Sequence, residues 1–137
     1  SVPWAQKRQN EKSVRGNTAV NSIKNLLNAV LSQYLPSYFM VGDGFPRLVY
    51  ELKQIYTDEP YKKYLVTLNL YDRFTTEKID NIVDEIYSDI ARATYTQGKR
   101  HYKFYNNSDR QYVAESDKTI NRIMTTLELR VYEREDD

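Results

Sequence analysis

Two hydrophobic rhythms alternate along this chain, one with the period of a helix and one with the period of a strand. Val20, Ile23, Leu26, Leu27, Val30, Leu31 and Tyr34 recur at spacings of three and four, which places them on one stripe of a helix. Asn17 or Thr18 can cap its start, and Pro36 disfavours helix at Leu35 and so closes it. Tyr38 to Val41 reads as a short strand, followed by a turn at Gly42-Asp43-Gly44. The stretch Arg47 to Ile55 alternates, with Leu48, Tyr50 and Leu52 sharing a face. After the turn cluster Thr57-Asp58-Glu59-Pro60, Tyr61 to Tyr71 alternates as well, placing Tyr64, Val66, Leu68 and Leu70 on one side. These two stretches predict a hairpin of half-buried strands.

The helical period returns at Ile79, Ile82, Val83, Ile86, Tyr87 and Ile90. Thr75 or Thr76 is the expected cap, and Glu77 sits in the first turn, where the helix dipole favours an anion. Beyond Gly98 the pattern is strand-like again. Arg100 to Asn106 is rich in aromatics, Asn106-Asn107-Ser108-Asp109 is a turn signal, and Arg110 to Glu115 reads as a returning strand. The run from Thr119 to Arg134 sets Ile123, Leu127, Leu129 and Val131 against Arg122, Glu128 and Arg130. Residues 1–17 follow neither rhythm and predict an extended N-terminal arm, with one domain over 18–137. The expected fold is α+β: a mostly antiparallel sheet with two helices packed on one face, plus the arm.

A chain of 137 residues fits one domain and buries enough surface for a core without staples. It has no cysteine, which fits a reducing compartment and removes disulfides and thiolate metal sites. No stretch approaches the length of an apolar membrane span and no signal-peptide pattern opens the chain, so neither membrane nor secretion is expected. The net charge of +1 argues against a dedicated duplex-DNA binder. It is unevenly spread: residues 1–20 hold Lys7, Arg8, Lys12 and Arg15 against Glu11, a balance of +3, which leaves −2 for the rest. The closing residues Glu133 to Asp137 are mostly acidic. Such polarity suits head-to-tail contacts between copies, and it equally suits solvated termini. There are thirteen tyrosines; strand propensity accounts for the larger share, and enrichment of tyrosine at interfaces leaves room for an interface excess.

Catalytic chemistry is thin. The single histidine, His101, lies in a strand-like run with no framed nucleophile near it in sequence. Asp80 and Asp84 stand at i, i+4 on one helix face, the spacing of a two-carboxylate cation site and equally that of a solvated face. Gly42 and Gly44 lead into Pro46 and a strand rather than a helix, so no phosphate cradle is expected. Lys99 to Tyr105 interleaves basic and aromatic residues, as stacking on single-stranded nucleic acid requires and as an outward basic row on a strand also produces. No catalytic residue, metal or cofactor is expected.

The order of segments carries more. A helix, a Gly- and Pro-containing turn, the strand Phe45-Pro46-Arg47-Leu48-Val49-Tyr50-Glu51, a hairpin partner, a second helix and a long closing strand resemble the tail-terminator and tail-completion proteins of long-tailed bacteriophages, the family of the lambda tail terminator. The resemblance spans residues from about 18 to 134. It implies a structural virion protein, assembled in the host cytoplasm and located at the tail and neck. Its copies would form a homohexameric ring that caps the tail tube, receives the head connector or head-completion protein, and lets DNA through its lumen without sequence-specific binding. Candidate partner contacts are then Trp4, Lys7, Arg8 and Arg15 on the arm, and Tyr105, Asn107, Asp109 and Arg110 around the turn. Two readings stand for Trp4: an anchor in a neighbouring subunit, or a side chain folded back on its own domain. The competing classes are a non-enzymatic adaptor or other neck subunit binding partners through a sheet edge, and an enzyme built on carboxylates and tyrosines, which would need a concave pocket.

Overall fold

The computed structural model describes residues 20–90, 93–107 and 110–133. The described part of the first helix, α1, covers 20–31. It is followed by β1 (Ser37–Phe39), β2 (Arg47–Ile55), β3 (Lys62–Arg73), α2 (Glu77–Asp89), β4 (Thr94–Gln97), β5 (Arg100–Asn106), β6 (Gln111–Val113) and β7 (Ile120–Glu133). The seven strands make one sheet in the order β1-β2-β3-β7-β5-β4, with β6 also paired to β7.

The two longest strands form the spine. β3 and β7 run antiparallel through twelve residue pairs, from Lys62↔Val131 to Arg73↔Ile120. β2 covers the other edge of β3 in the expected hairpin, with Leu48 opposite Leu70 and Leu52 opposite Val66. The far edge of β7 is divided. β5 takes its C-terminal half, Leu127 to Glu133, and β6 takes Arg122 to Met124.

Alternation does the rest. Leu48, Tyr50, Tyr64, Val66, Leu68, Leu70, Tyr102, Phe104, Ile123, Leu127, Leu129 and Val131 all point to one face, and all are buried. They form a single core with Ile23, Leu26, Leu27, Val30 and Leu31 from α1 and with Ile79, Ile82, Val83 and Ile86 from α2. Two polar links fix the helices on this apolar surface. The Tyr50 hydroxyl reaches the Asn28 Oδ1 at 2.7 Å and the Lys24 carbonyl at 3.2 Å, seating α1 on β2. The Tyr87 hydroxyl and Thr125 Oγ1 hydrogen-bond to each other between α2 and β7, which satisfies a threonine that is only 1% exposed. Tyr34 donates to Asp89 Oδ2 at 3.0 Å and ties the end of one helix to the end of the other.

The expected layout is corrected. Strand makes up 47% of the described residues and helix 23%, in a curled half-barrel sheet whose core is sheet-dominated. The sheet is mixed, because β1 runs parallel to β2 (Ser37↔Leu48). Thr94–Gln97 is a strand that the sequence reading passed over as connection; it pairs with β5 from Thr94↔Lys103 to Gln97↔Arg100 around Gly98, whose φ is 58°. The predicted arm, 1–17, lies outside the described residues. Smaller shifts have local causes. Met40 adopts a left-handed φ of 67°, so β1 stops at Phe39 and Val41 is 81% exposed rather than in a strand. Gly42 is required because a Cβ there would meet the Tyr38 ring at 2.4 Å. Val20, placed on the apolar stripe by its spacing, is 41% exposed.

Burial and these hydroxyl contacts set the response to alkali. Burial pushes the Tyr50 phenol up to about 12, and burial, followed by the bond to Asp89, pushes Tyr34 to about 12 from an ordinary 10.0. A raised folded-state pKa contributes stability that is complete below pH 10 and is lost as pH climbs toward 12, where the unfolded chain ionises first. Denaturant midpoints should therefore fall over that window. Tyr50→Phe should flatten the fall and, at neutral pH, cost about 1–2 kcal/mol through the lost hydrogen bonds, read by urea unfolding. An unchanged alkaline slope in that variant would contradict the assignment.

Candidate interaction surface

The helices cover one face of the sheet. The other face is built from the odd-numbered residues of β2 and β3, the even-numbered residues of β7 and the odd-numbered residues of β5. It is neither apolar nor plainly solvated, because its side chains are organised into two stacks and a polar chain.

The first stack lies at the end where β2 begins. Phe45 lies in the bend that leads into β2, next to a cis Phe45–Pro46 bond, Arg47 is the first residue of β2, and Tyr71 is the register partner of Arg47. The Arg47 guanidinium sits over the Phe45 ring at 4.6 Å and the Tyr71 ring at 4.3 Å. Arg73 approaches Phe45 from another side at 4.7 Å, and Arg122 lies 5.8 Å from Tyr71. Arg47 Nη1 donates to the Gly44 carbonyl at 2.9 Å, while its Nε is buried with no hydrogen-bond partner. Two ring faces and one carbonyl hold this cation in place. At the opposite end Arg130 lies 4.9 Å from the Tyr61 ring and 4.4 Å from the Tyr105 ring, and Tyr61 packs on Tyr132 at 5.0 Å.

Between the stacks a hydrogen-bonded chain crosses the sheet. Arg122 Nη1 donates to Glu115 Oε1 at 3.2 Å, Arg122 Nε donates to Asn69 Oδ1 at 3.0 Å, and Asn69 Nδ2 donates to Glu51 Oε2 at 3.1 Å. Asn69 is thereby only 3% exposed on the face turned away from the core, with both ends of its amide satisfied. Glu128, on β7, pairs with Lys63 at 3.5 Å and with Arg130. The face as a whole is basic: Arg47, Lys53, Lys63, Arg73, Lys103, Arg122 and Arg130 stand against Glu51, Glu115 and Glu128, a net +4. The side of the molecule that carries α2 has the reverse sign there: Glu77, Asp80, Asp84, Glu85 and Asp89 stand against Lys78 and the Arg110 that Asp80 and Asp84 hold, a net −3.

Of the residues singled out from sequence, Tyr105 lies on this face under Arg130, and Asn107 is anchored beside it, donating to Thr126 Oγ1 at 3.2 Å. Arg110 is elsewhere and engaged. It bridges Asp80 Oδ1 at 2.8 Å and Asp84, so it fastens the start of β6 to α2 rather than reaching outward. The carboxylate pair that spacing made a cation-site candidate is thus bound to a guanidinium. Tyr112 adds a hydroxyl to Asp80 at 2.7 Å. Trp4, Lys7, Arg8, Arg15 and Asp109 lie outside the described residues. His101 shares a hydrogen bond with Thr96 Oγ1 at 3.1 Å. Among the described residues there is no group of three or more His, Cys, Asp or Glu that could hold a metal, and no helix is long and apolar enough to cross a membrane. A hollow of about 350 Å³ lined by Thr57, Glu59, Pro60, Tyr61, Lys62, Val131 and Glu133 opens broadly to solvent at one end of the sheet.

The Phe45–Arg47–Tyr71 stack escaped the sequence reading, which placed Arg47 only as the start of a strand. Phe45 meets Arg47 through the bend before β2, where spacing gives no facing rule. Tyr71 meets it only through the register of a hairpin.

Burial opposes ionisation of Asp80, but hydrogen bonds from Tyr112, Thr76 and Arg110, with the charge of Arg110, hold its carboxyl below the ordinary range. The stability it contributes is therefore present above the ordinary carboxylate pKa and lost as pH falls through the depressed folded value. Arg110→Ala should raise the Asp80 titration midpoint, followed by carboxyl NMR, and shrink that acid-sensitive contribution. Arg47→Ala should cost about 1–2 kcal/mol in urea unfolding through its two ring contacts.

No protein-family model matches this chain, and no curated protein matches it significantly.

Proposed function

We propose that this protein is a non-enzymatic assembly subunit of a long-tailed bacteriophage, a tail terminator or tail-completion protein whose copies close into a ring between tail tube and head. The observation that carries this reading is a sheet that, among the described residues, is covered on one face by the helices, while its other face is basic and aromatic and the opposing helix is acidic. A subunit with unlike charges on opposite sides is suited to heterologous, head-to-tail contacts, the kind that close into rings when their rotation allows. The preformed stacks favour such a use, because arginines already held against rings lose little freedom on association. In this reading the ring is hexameric and caps the tail tube, the head connector or head-completion protein docks on its other side, and DNA passes the lumen without sequence-specific contact. The protein then resides in the virion neck after assembly in the host cytoplasm.

The alternative is an adaptor that captures a peptide along a sheet edge. β1 has three residues and β4 four, so each offers few backbone groups to an added strand. β1 pairs only with Leu48–Tyr50, and among the described residues Glu51–Ile55 of β2 is the longer edge on which such a strand could add.

Light scattering across concentration, paired with negative-stain microscopy, tests the proposal. The expected outcome is a discrete hexamer with a central opening, populated more fully as concentration rises. A chain that remains monomeric or dimeric at every concentration and shows no rings overturns it.

A further inference from the structure

We infer that the ring contact is made by the acidic outer side of α2 of one copy against the basic bare sheet face of the next. The inference rests on the ring reading and names the surfaces that such a ring would join. Three observations converge on it. The sheet face, net +4, and α2 with its bound Arg110, net −3, carry opposite charges and belong to opposite sides of the fold. The exposed row of α2, with Asn81, Asp84, Glu85 and Ser88, makes none of the core contacts, which belong to Ile79, Ile82, Val83 and Ile86. On the sheet side the aromatic bodies of Tyr71, Tyr105 and Tyr132 are half-buried with no covering layer among the described residues, and exposed Lys53 and Lys103 flank them on β2 and β5.

A helix lying across a sheet is also the packing this fold already uses on its other face, where α1 and α2 cover the same strands. A neighbour's α2 would complete a helix–sheet–helix arrangement. Opposite charges would steer the approach, and like charges would oppose the two faces meeting their own kind, so only the head-to-tail pairing is favoured. A second copy fits better than a nucleic-acid strand. Three carboxylates are built into the sheet face, two of them holding its arginines, where a phosphate backbone would meet repulsion.

Charge reversal on exposed residues tests the pairing. One variant carries Lys53→Glu and Lys103→Glu on the sheet; the other carries Glu85→Lys and Ser88→Lys on α2. All four positions are exposed, and circular dichroism with thermal melting checks that each variant is folded. Each variant alone should lose self-association by about 100-fold or more, and an equimolar mixture of the two should recover it as an alternating ring, in which one kind of junction sets the introduced glutamates against the introduced lysines and the other joins the two unaltered faces. Wild-type assembly should weaken as salt rises. If both variants assemble as the wild type does, or if the mixture fails to assemble while each variant is folded and monomeric, the pairing of these faces is overturned and the ring reading stands. A wild-type chain that never self-associates overturns both. A single-stranded oligonucleotide that binds the wild type and is lost on reversal of the sheet, with no rescue on mixing, assigns the face to nucleic acid and overturns the inference.

Discussion

The register between β3 and β7 is the constraint on which the rest of this structure depends. Twelve consecutive pairs fix it, and strand alternation then assigns every side chain on the two strands to a face. One choice puts Tyr64, Val66, Leu68 and Leu70 beside Ile123, Leu127 and Leu129, under both helices. The same choice puts Tyr71, Asn69 and Lys63 beside Arg122, Met124 and Arg130 on the bare face. β2 inherits its register from β3, and β5 and β6 inherit theirs from the other edge of β7. Core and candidate surface are therefore two consequences of one pairing.

The divided edge of β7 shapes what surrounds it. β5 and β6 attach to different lengths of the same strand, leaving Thr125 and Thr126 between Met124 and Leu127 at the division. Both threonines are spoken for by side chains there: Thr125 by Tyr87 on the core side and Thr126 by Asn107 on the other. Polar side chains thus close the gap that the strands leave open, and the buried one is matched by a hydroxyl from α2. Arg110 performs a related task at the start of β6, where its contacts with Asp80 and Asp84 hold a three-residue strand that could not persist by its own ladder.

How much of this was legible in the sequence follows from the range of each signal. Period-two alternation is local, so β2, β3 and β7 could be read with their inward faces, and period 3.6 gave the buried stripe of α2. β4 was missed although Thr-Tyr-Thr-Gln before a glycine is a hairpin signal, because four residues are too few to show a period. The parallel pairing of β1 could not be read, since nothing in Ser37-Tyr38-Phe39 specifies the direction of its neighbour. The candidate surface divides in the same way. Its charged row on β7 was visible as alternation, whereas the sandwich of Arg47 between Phe45 and Tyr71 joins residues that only the hairpin brings together. Arg110 illustrates the converse error: a cation beside a turn looks available in sequence, and its partners sit on a helix thirty residues earlier.

The alternation along β7 carries one more implication. Were the strand to pair one residue out of step, its leucines would turn outward and its arginines inward, and no orderly array of cations would remain on the surface. In the proposed ring a misfolded copy would thus lack the credential that a neighbouring copy recognises. Folding and admission to such an assembly would be encoded by the same residues, so the surface would screen out defective copies without any separate inspection machinery.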